Sequence, residues 1–219
     1  MTQIKFCGLT NLIDAQLAIE AGADMLGFNF YPPSPRSISP NQCAEITSIL
    51  YKTFPKIVLV GVFVNMPVEE IKNILQICHL NLVQLHGDET PEILGHFNNQ
   101  AFKAFRGIPS SDLINQYTTF NSKSKPTFLI DANTQGIFGG SGNTVDWDSA
   151  SELSRKFPIL LAGGLNPTNV SEAVKKVMPW GVDVASGIEI TPGKKDPEKM
   201  KIFVDAVKSV QLQNLGSKS

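Results

Sequence analysis

Long apolar runs, paired cysteines and an excess of one charge are all missing from this 219-residue sequence. No stretch approaches the roughly 20 apolar residues of a membrane-spanning helix. The opening also lacks the basic-then-apolar pattern of a secretory signal. Lys and Arg number 19 against 20 Asp and Glu, a formal net charge of −1. That balance leaves no electrostatic footprint for nucleic acid or an anionic membrane, and the expected location is cytoplasmic. The three cysteines, Cys7, Cys43 and Cys78, stand far apart without a CxxC pair. Neither a disulfide scaffold nor a zinc ribbon is indicated, and no metal is expected. Cys43 and Cys78 fall in helix-like stretches and read as packing residues.

What is present is regular alternation. Strand-like runs "IKFCG", "DMLGFNF", "KIVLVGVFVN", "LNLVQLHG", "AFKAFRG", "PTFLIDA", "PILLAGG" and "WGVDVASG" are each followed by an amphipathic, helix-like run. Strands alternating with helices imply a parallel sheet with crossover connections. Eight such units fit a closed (β/α)₈ TIM barrel, a single α/β domain spanning 1–219, better than an open doubly wound sheet. The fifth unit is the weakest, since "SDLINQY" is short for a helix. The polar tail "QNLGSKS" is expected to fray from about 212.

A barrel of this kind carries function at the carboxyl ends of its strands. In "QIKFC" the period of two puts Lys5 and Cys7 on one face, and Gly8 then allows a sharp turn, with Asn11 placed to cap the next helix. Strand two ends in Asn29 and a stiff loop, "YPPSPRSISP", that would position Arg36. Strand four shows Gln84 and His86 on one face, making His86 a candidate for substrate contact. Lys103, Asp131 and Asp183 complete the polar set at strand ends. A charge in an otherwise apolar strand is costly unless paired or used. Lys5, Lys103 and Asp183 could therefore also form a purely structural ion network inside the barrel. His86 could equally be satisfied by a backbone carbonyl, and Asp131 could cap the following turn.

The last two units end in glycine-rich turns, Gly163-Gly164 and Ser186-Gly187. Glycines let backbone N–H groups approach an anion closely, and barrels often hold a phosphate between these two loops. "IFGGSGNTVDW", after strand six, is a third glycine-rich loop, long enough to move and cover a ligand.

Taken together, "KFCGLTN", "GADMLGFNFYPPSPRSISP", "VGVFVN", "VQLHGDE", "LIDA", "GGSGNTVDW", "LAGGLNP" and "DVASGIEITPGKKD" resemble the phosphoribosylanthranilate isomerase family over residues 3 to 208. The resemblance implies a (β/α)₈ barrel and an Amadori rearrangement without cofactor or metal, its partner a small phosphosugar substrate. It also implies Cys7 as general base, Asp131 as general acid, and Arg36 as the residue that binds the anthranilate carboxylate. The backbone at Gly163, Gly164, Ser186 and Gly187 would hold the phosphate. One departure stands out: where the family reads "GGxGKxFDW", this chain has Asn143 and Val145.

The residue types suit that chemistry, which needs one proton donor and one acceptor on opposite sides of a sugar. Asp131 can donate if its apolar strand keeps it protonated. Cys7 can accept if nearby positive charge, Lys5 being the candidate, favours the thiolate. Rival readings are a metal-dependent pentulose-phosphate epimerase, indole-glycerol-phosphate synthase, a non-catalytic phosphosugar-binding protein, and a thiol redox sensor with Cys43 resolving Cys7. The first needs several histidine ligands at strand ends, where His86 stands alone.

Overall fold

A computed structural model describes residues 1–121, 126–132 and 145–216 of the chain. Eight parallel strands close into one ring: β1 (Gln3–Cys7), β2 (Met25–Asn29), β3 (Val58–Phe63), β4 (Leu82–Leu85), β5 (Ala101–Arg106), β6 (Phe128–Asp131), β7 (Ile159–Leu161) and β8 (Gly181–Val184). The helices between them are α1 (Leu12–Ala21), α2 (Pro40–Thr53), α3 (Val68–Ile77), α4 (Pro91–Leu94), α5 (Ser111–Asn121), α6 (Trp147–Ser154), α7 (Val170–Val177) and α8 (Pro197–Gly216). The expected barrel is therefore the observed one. Pairing of β8 with β1 closes it, with Lys5 directly opposite Asp183.

Capping chemistry sets several helix starts. The Asn11 side chain accepts from the Asp14 N–H at 2.8 Å, as expected for the helix after β1. Ser39 and Gln42 form a capping box, with Pro40 in the first turn of α2. The fifth helix is longer than "SDLINQY" suggested. Thr118 and Thr119 continue it, their hydroxyls donating back to the Asn115 carbonyl. The short helix is α4, which passes into a 3₁₀ turn (Gly95–Phe97) and stops where Asn98 and Asn99 turn left-handed. Helix α8 runs on to Gly216, past the point near 212 where fraying was expected, and 217–219 lie outside the described residues.

Strand parity divides the core in two. Met25, Val60, Phe102, Ala104, Leu129, Leu160 and Ala162 fill the barrel interior. The alternate residues, such as Phe6, Phe28, Val83, Phe105 and Ile130, pack outward against the helices. Phe102 and Ala104 point in, so Lys103 points out. This corrects the expectation that Lys103 joins the interior polar set. The residue is 4% exposed, and its ammonium lies between the ring and the helices, donating to Glu89 Oε2 at 2.8 Å and to the Gly87 carbonyl at 2.6 Å. Glu89 in turn accepts the N–H groups of Asn65 and Gly87, and Tyr117 donates its hydroxyl to the Glu89 carbonyl. The network ties β4, β5 and α5 together from behind. Burial lowers the Lys103 pKa, and Glu89 opposes that shift.

A short antiparallel hairpin, β9 (Glu189–Thr191) and β10 (Lys194–Lys195), follows β8 and had no counterpart in the eight-unit reading. It turns at Pro192 and at Gly193, whose φ of 83° is left-handed.

The outward position of Lys103 has a stability consequence. Removing one partner of a buried ion pair costs about 3–5 kcal/mol. Because Glu89 keeps its backbone donors, Lys103→Met should lose stability at the lower end, about 3 kcal/mol in urea unfolding. Activity per folded molecule should stay within about twofold, where an interior, substrate-facing lysine would cost far more. Loss of activity at unchanged stability would place the lysine inside.

Candidate active site

The carboxyl ends of the strands open into a half-open pocket. Cys7, Arg36, His86, Asp131, Gly163, Gly164 and Ser186 all line it, together with Asn29, Gln84 and Asp183. Of the expected site residues only Gly187 is not part of the lining. Its role is close approach: a Cβ there would overlap the Leu165 carbonyl oxygen and force the β7 and β8 loops apart. The β7 turn needs glycine for a similar reason. Gly163 (φ 84°) and Gly164 (φ 63°) are both left-handed, and a Cβ on Gly163 would sit 2.5 Å from the Ala132 nitrogen. Asn169 Nδ2 and Asn166 Nδ2 donate to the Gly164 carbonyl at 3.0 and 3.3 Å, fixing the loop.

Cys7 ends β1, and its surroundings are set by two small features. Gly27 on the neighbouring strand has no side chain, which leaves room for both the Cys7 thiol and the Lys5 ammonium. A Cβ on Gly27 would lie 2.9 Å from Cys7 Sγ and 3.0 Å from Lys5 Nζ. Lys5, fully buried, is held by Asp183 Oδ1 at 2.8 Å. Burial works against the Lys5 ammonium, but Asp183 and Cys7 outweigh it and raise its pKa. Lys5 does favour the Cys7 thiolate, but burial outweighs it. Burial pushes the Cys7 pKa up, and the pull of Lys5 and Lys195 does not fully offset that burial and the Asp183 carboxylate. Lys5 moderates a desolvated thiol; it does not make the thiol acidic.

Asp131 ends β6, three strands from β1 around the ring. Its Oδ1 accepts the Ala132 N–H at 2.8 Å, so the local turn-bonding reading is correct for that oxygen. Oδ2 faces His86 Nε2 at 3.6 Å. With Gln84 Nε2 assigned as donor to His86 Nδ1 at 3.0 Å, the neutral ring carries its proton on Nε2, directed toward Asp131. Among the described residues, His86 Nε2 and Gln84 Oε1 are buried with no hydrogen-bond partner. Two polar atoms in that condition, both on residues lining a cavity, mark a place where a ligand's hydroxyl groups would be satisfied.

Arg36 lies across the turn after β1. Gly8 (φ 74°) makes that possible, since a Cβ there would meet Arg36 Cδ at 2.7 Å. The loop carrying it is pinned by Asn29, whose Oδ1 accepts the Tyr31 N–H and whose Nδ2 donates to Ser34 Oγ. One edge of the guanidinium is already taken. Nε and Nη2 each donate to Glu189 at 2.8 Å. Glu189 Oε1 also accepts from Lys195 Nζ at 2.9 Å, and Lys195 further donates to the carbonyls of Cys7 and Ala185. Burial alone would raise the Glu189 pKa, but Arg36 and Lys195 outweigh it and hold the carboxyl low. Burial lowers the Lys195 pKa, against the pull of Glu189.

Sequence reading missed Glu189 and Lys195. Their hairpin carries a Pro-Gly turn signal at 192–193, which was available in "EITPGKK". Cys43, the candidate resolving cysteine, packs in the outer core while Cys7 lines the pocket, and its thiol is raised chiefly by a hydrogen bond with Cys78. Asn143 and the glycine-rich loop before it lie outside the described residues, while Val145 is buried.

Known proteins share this architecture and sequence. The family model described as N-(5'-phosphoribosyl)anthranilate (PRA) isomerase matches residues 4–206. The N-(5'-phosphoribosyl)anthranilate isomerase of Geotalea daltonii is 46% identical over 211 residues, covering 95% of this chain and 97% of that one. The crystal structure of phosphoribosyl anthranilate isomerase from Thermotoga maritima superposes with a TM-score of 0.83 at 37% identity, covering 95% of this chain and 100% of that chain. A further crystal structure of phosphoribosyl anthranilate isomerase, in complex with reduced 1-(o-carboxyphenylamino)-1-deoxyribulose 5-phosphate, has a TM-score of 0.79 at 36% identity over the same shares of the two chains. On matches that span almost the whole barrel, the chain belongs to the N-(5'-phosphoribosyl)anthranilate isomerase family, enzymes of tryptophan biosynthesis.

Proposed function

We propose that this chain converts N-(5'-phosphoribosyl)anthranilate to 1-(2-carboxyphenylamino)-1-deoxyribulose 5-phosphate, with Cys7 as general base and Asp131 as general acid. The observation that carries the reading is the placement of both groups at strand ends on one cavity, together with Arg36 and the glycine turns of β7 and β8.

The chemistry follows from that placement. Asp131 gives a proton to the ring oxygen as the C1–O bond breaks, and the nitrogen lone pair forms the C1=N bond of an iminium. The Cys7 thiolate then takes the C2 proton. The C2–H electron pair becomes the C1=C2 bond, and the C=N electrons return to nitrogen. The resulting enolamine gains a proton at C1, loses one from the C2 hydroxyl, and becomes the ketone. Both transfers use side chains alone, so the step is written without metal or cofactor. His86 would donate through Nε2 to a sugar hydroxyl. The phosphate would sit against the backbone of Gly163, Gly164 and Ser186, with Gly187 keeping the two loops close. Arg36 would face the anthranilate carboxylate. We place this enzyme in the cytoplasm, with a small phosphosugar and no nucleic acid as its partner, on the near-neutral charge of the chain.

Removing the base should be expensive. Cys7→Ala should lower kcat by about 10²–10⁴-fold with KM within a few-fold of the parent. A variant that keeps most of its turnover would remove Cys7 from the mechanism. Asp131→Asn retains the hydrogen bond to the Ala132 N–H but cannot release a proton at the ring oxygen. It should stay folded, bind product analogue, and lose about as much in kcat; loss of activity through unfolding alone would leave Asp131 structural.

The raised Cys7 thiol fixes the sign of a pH dependence. Only the thiolate can accept the C2 proton, and its fraction grows as pH rises toward a pKa above the ordinary thiol value. The kcat/KM profile should therefore climb through the alkaline range with no plateau below about pH 8. In Lys5→Met, which removes a charge that favours the thiolate, the limb should move to still higher pH. A plateau by neutral pH would mean that another group is the base.

A further inference from the structure

We propose that Glu189 is a positioning residue that sets which edge of the Arg36 guanidinium meets the substrate carboxylate; the inference rests on the reading of Arg36 given above. A guanidinium has five N–H donors around its rim. Glu189 occupies one edge, accepting from Nε and Nη2 at 2.8 Å each. The donors that remain are both hydrogens of Nη1 and the second hydrogen of Nη2. They form the far edge, the one arrangement still able to grip a carboxylate with two parallel hydrogen bonds.

Glu189 can act as a brace because it is itself held. Its side chain is 4% exposed, Lys195 Nζ donates to its Oε1 at 2.9 Å, and the Gly193 N–H approaches the same oxygen at 3.3 Å. Lys195 is anchored to the ends of β1 and β8, donating to the Cys7 carbonyl at 2.6 Å and the Ala185 carbonyl at 3.1 Å. The Arg36 stem has no freedom on its other side, where it lies over Gly8. Charge points the same way. Two cations, Arg36 and Lys195, share one carboxylate, Glu189, so the cluster keeps one positive charge in a largely dehydrated setting. One incoming carboxylate balances it. An Arg36 free to rotate could offer any edge and would lose side-chain entropy on binding; the brace removes that cost before the substrate arrives.

The test compares two ligands: reduced 1-(o-carboxyphenylamino)-1-deoxyribulose 5-phosphate and the same molecule without the carboxylate. Their Kd values are measured for the parent chain, Glu189→Gln, Glu189→Asp, Arg36→Met and the Arg36→Met/Glu189→Gln double variant. Glu189→Asp keeps the charge opposite Lys195 but is too short to bridge to Arg36, so it serves where the glutamine variant fails to fold. Either Glu189 variant should weaken the carboxylate ligand about tenfold and the carboxylate-free ligand less than twofold, with KM rising and kcat little changed. The double variant should be no weaker than Arg36→Met alone, since the two residues act as one unit. If Arg36→Met discriminates between the ligands and the Glu189 variants do not, the positioning role is overturned while the carboxylate reading survives. If the Glu189 variants weaken both ligands equally, Glu189 is merely structural. If Arg36→Met itself fails to discriminate, the carboxylate lies elsewhere and both readings fall.

Discussion

Closure of eight parallel strands into a ring decides, residue by residue, which side chains share the interior, and the site depends on that constraint. Side chains alternate faces along a strand, so a polar residue at an inward position cannot escape to solvent except at an end of the barrel. Lys5 shows the consequence. It is inward, one level below Cys7, and meets Asp183 because β1 and β8 pair in a register that sets the two side by side. A one-residue slip of either strand would turn that strand's charge out among the apolar contacts with the helices and leave the other charge unpaired inside, at a prohibitive desolvation cost. The ion pair therefore fixes the strand register that presents Cys7 at the rim.

The site is an arrangement of buried and half-buried cations, each restrained by a specific acceptor. Lys5 is answered by Asp183; Lys195 by Glu189 and two strand-end carbonyls; Arg36 by Glu189. Glycine makes this density possible at two points where a Cβ would collide: Gly27 beside Cys7 and Lys5, and Gly8 beneath Arg36. The thiol sits in a place that disfavours its charged form by desolvation, with ammonium groups near enough to limit the penalty. A group in that state is a stronger base when it does ionise, which suits proton removal from carbon better than an acidic, weakly basic thiolate would.

Much of this was legible in the chain because period-two patterns are unambiguous when one face of a strand is polar. "QIKFC" and "LVQLH" assign Lys5, Cys7, Gln84 and His86 to the interior without further information. "AFKAFR" does not. Ala101, Phe102, Ala104 and Phe105 are apolar on both faces, so nothing local says which way Lys103 points; only the ring does. The Pro-Gly turn at 192–193 marks the Glu189 hairpin in the sequence but not what the hairpin meets. Arg36, the partner of Glu189, is 153 residues away, and the hairpin that brings them together is a tertiary contact with no periodic signature. The net direction of the Cys7 shift was not readable, because a neighbouring lysine shows in the sequence and the depth of burial does not. Helix α5 was underestimated because threonine reads as a terminator until its hydroxyl is seen bonding the preceding turn.

In the mechanism proposed above, these strand ends remove a proton from C2 of a bound phosphoribosyl amine. That step is tested most directly by single-turnover conversion of phosphoribosylanthranilate, followed by loss of its fluorescence, with hydrogen and then deuterium at C2. Complete conversion by the purified chain is expected, slowed severalfold by the deuterium. Conversion at the same rate for both substrates in the chemical step, or no conversion at all, would contradict it.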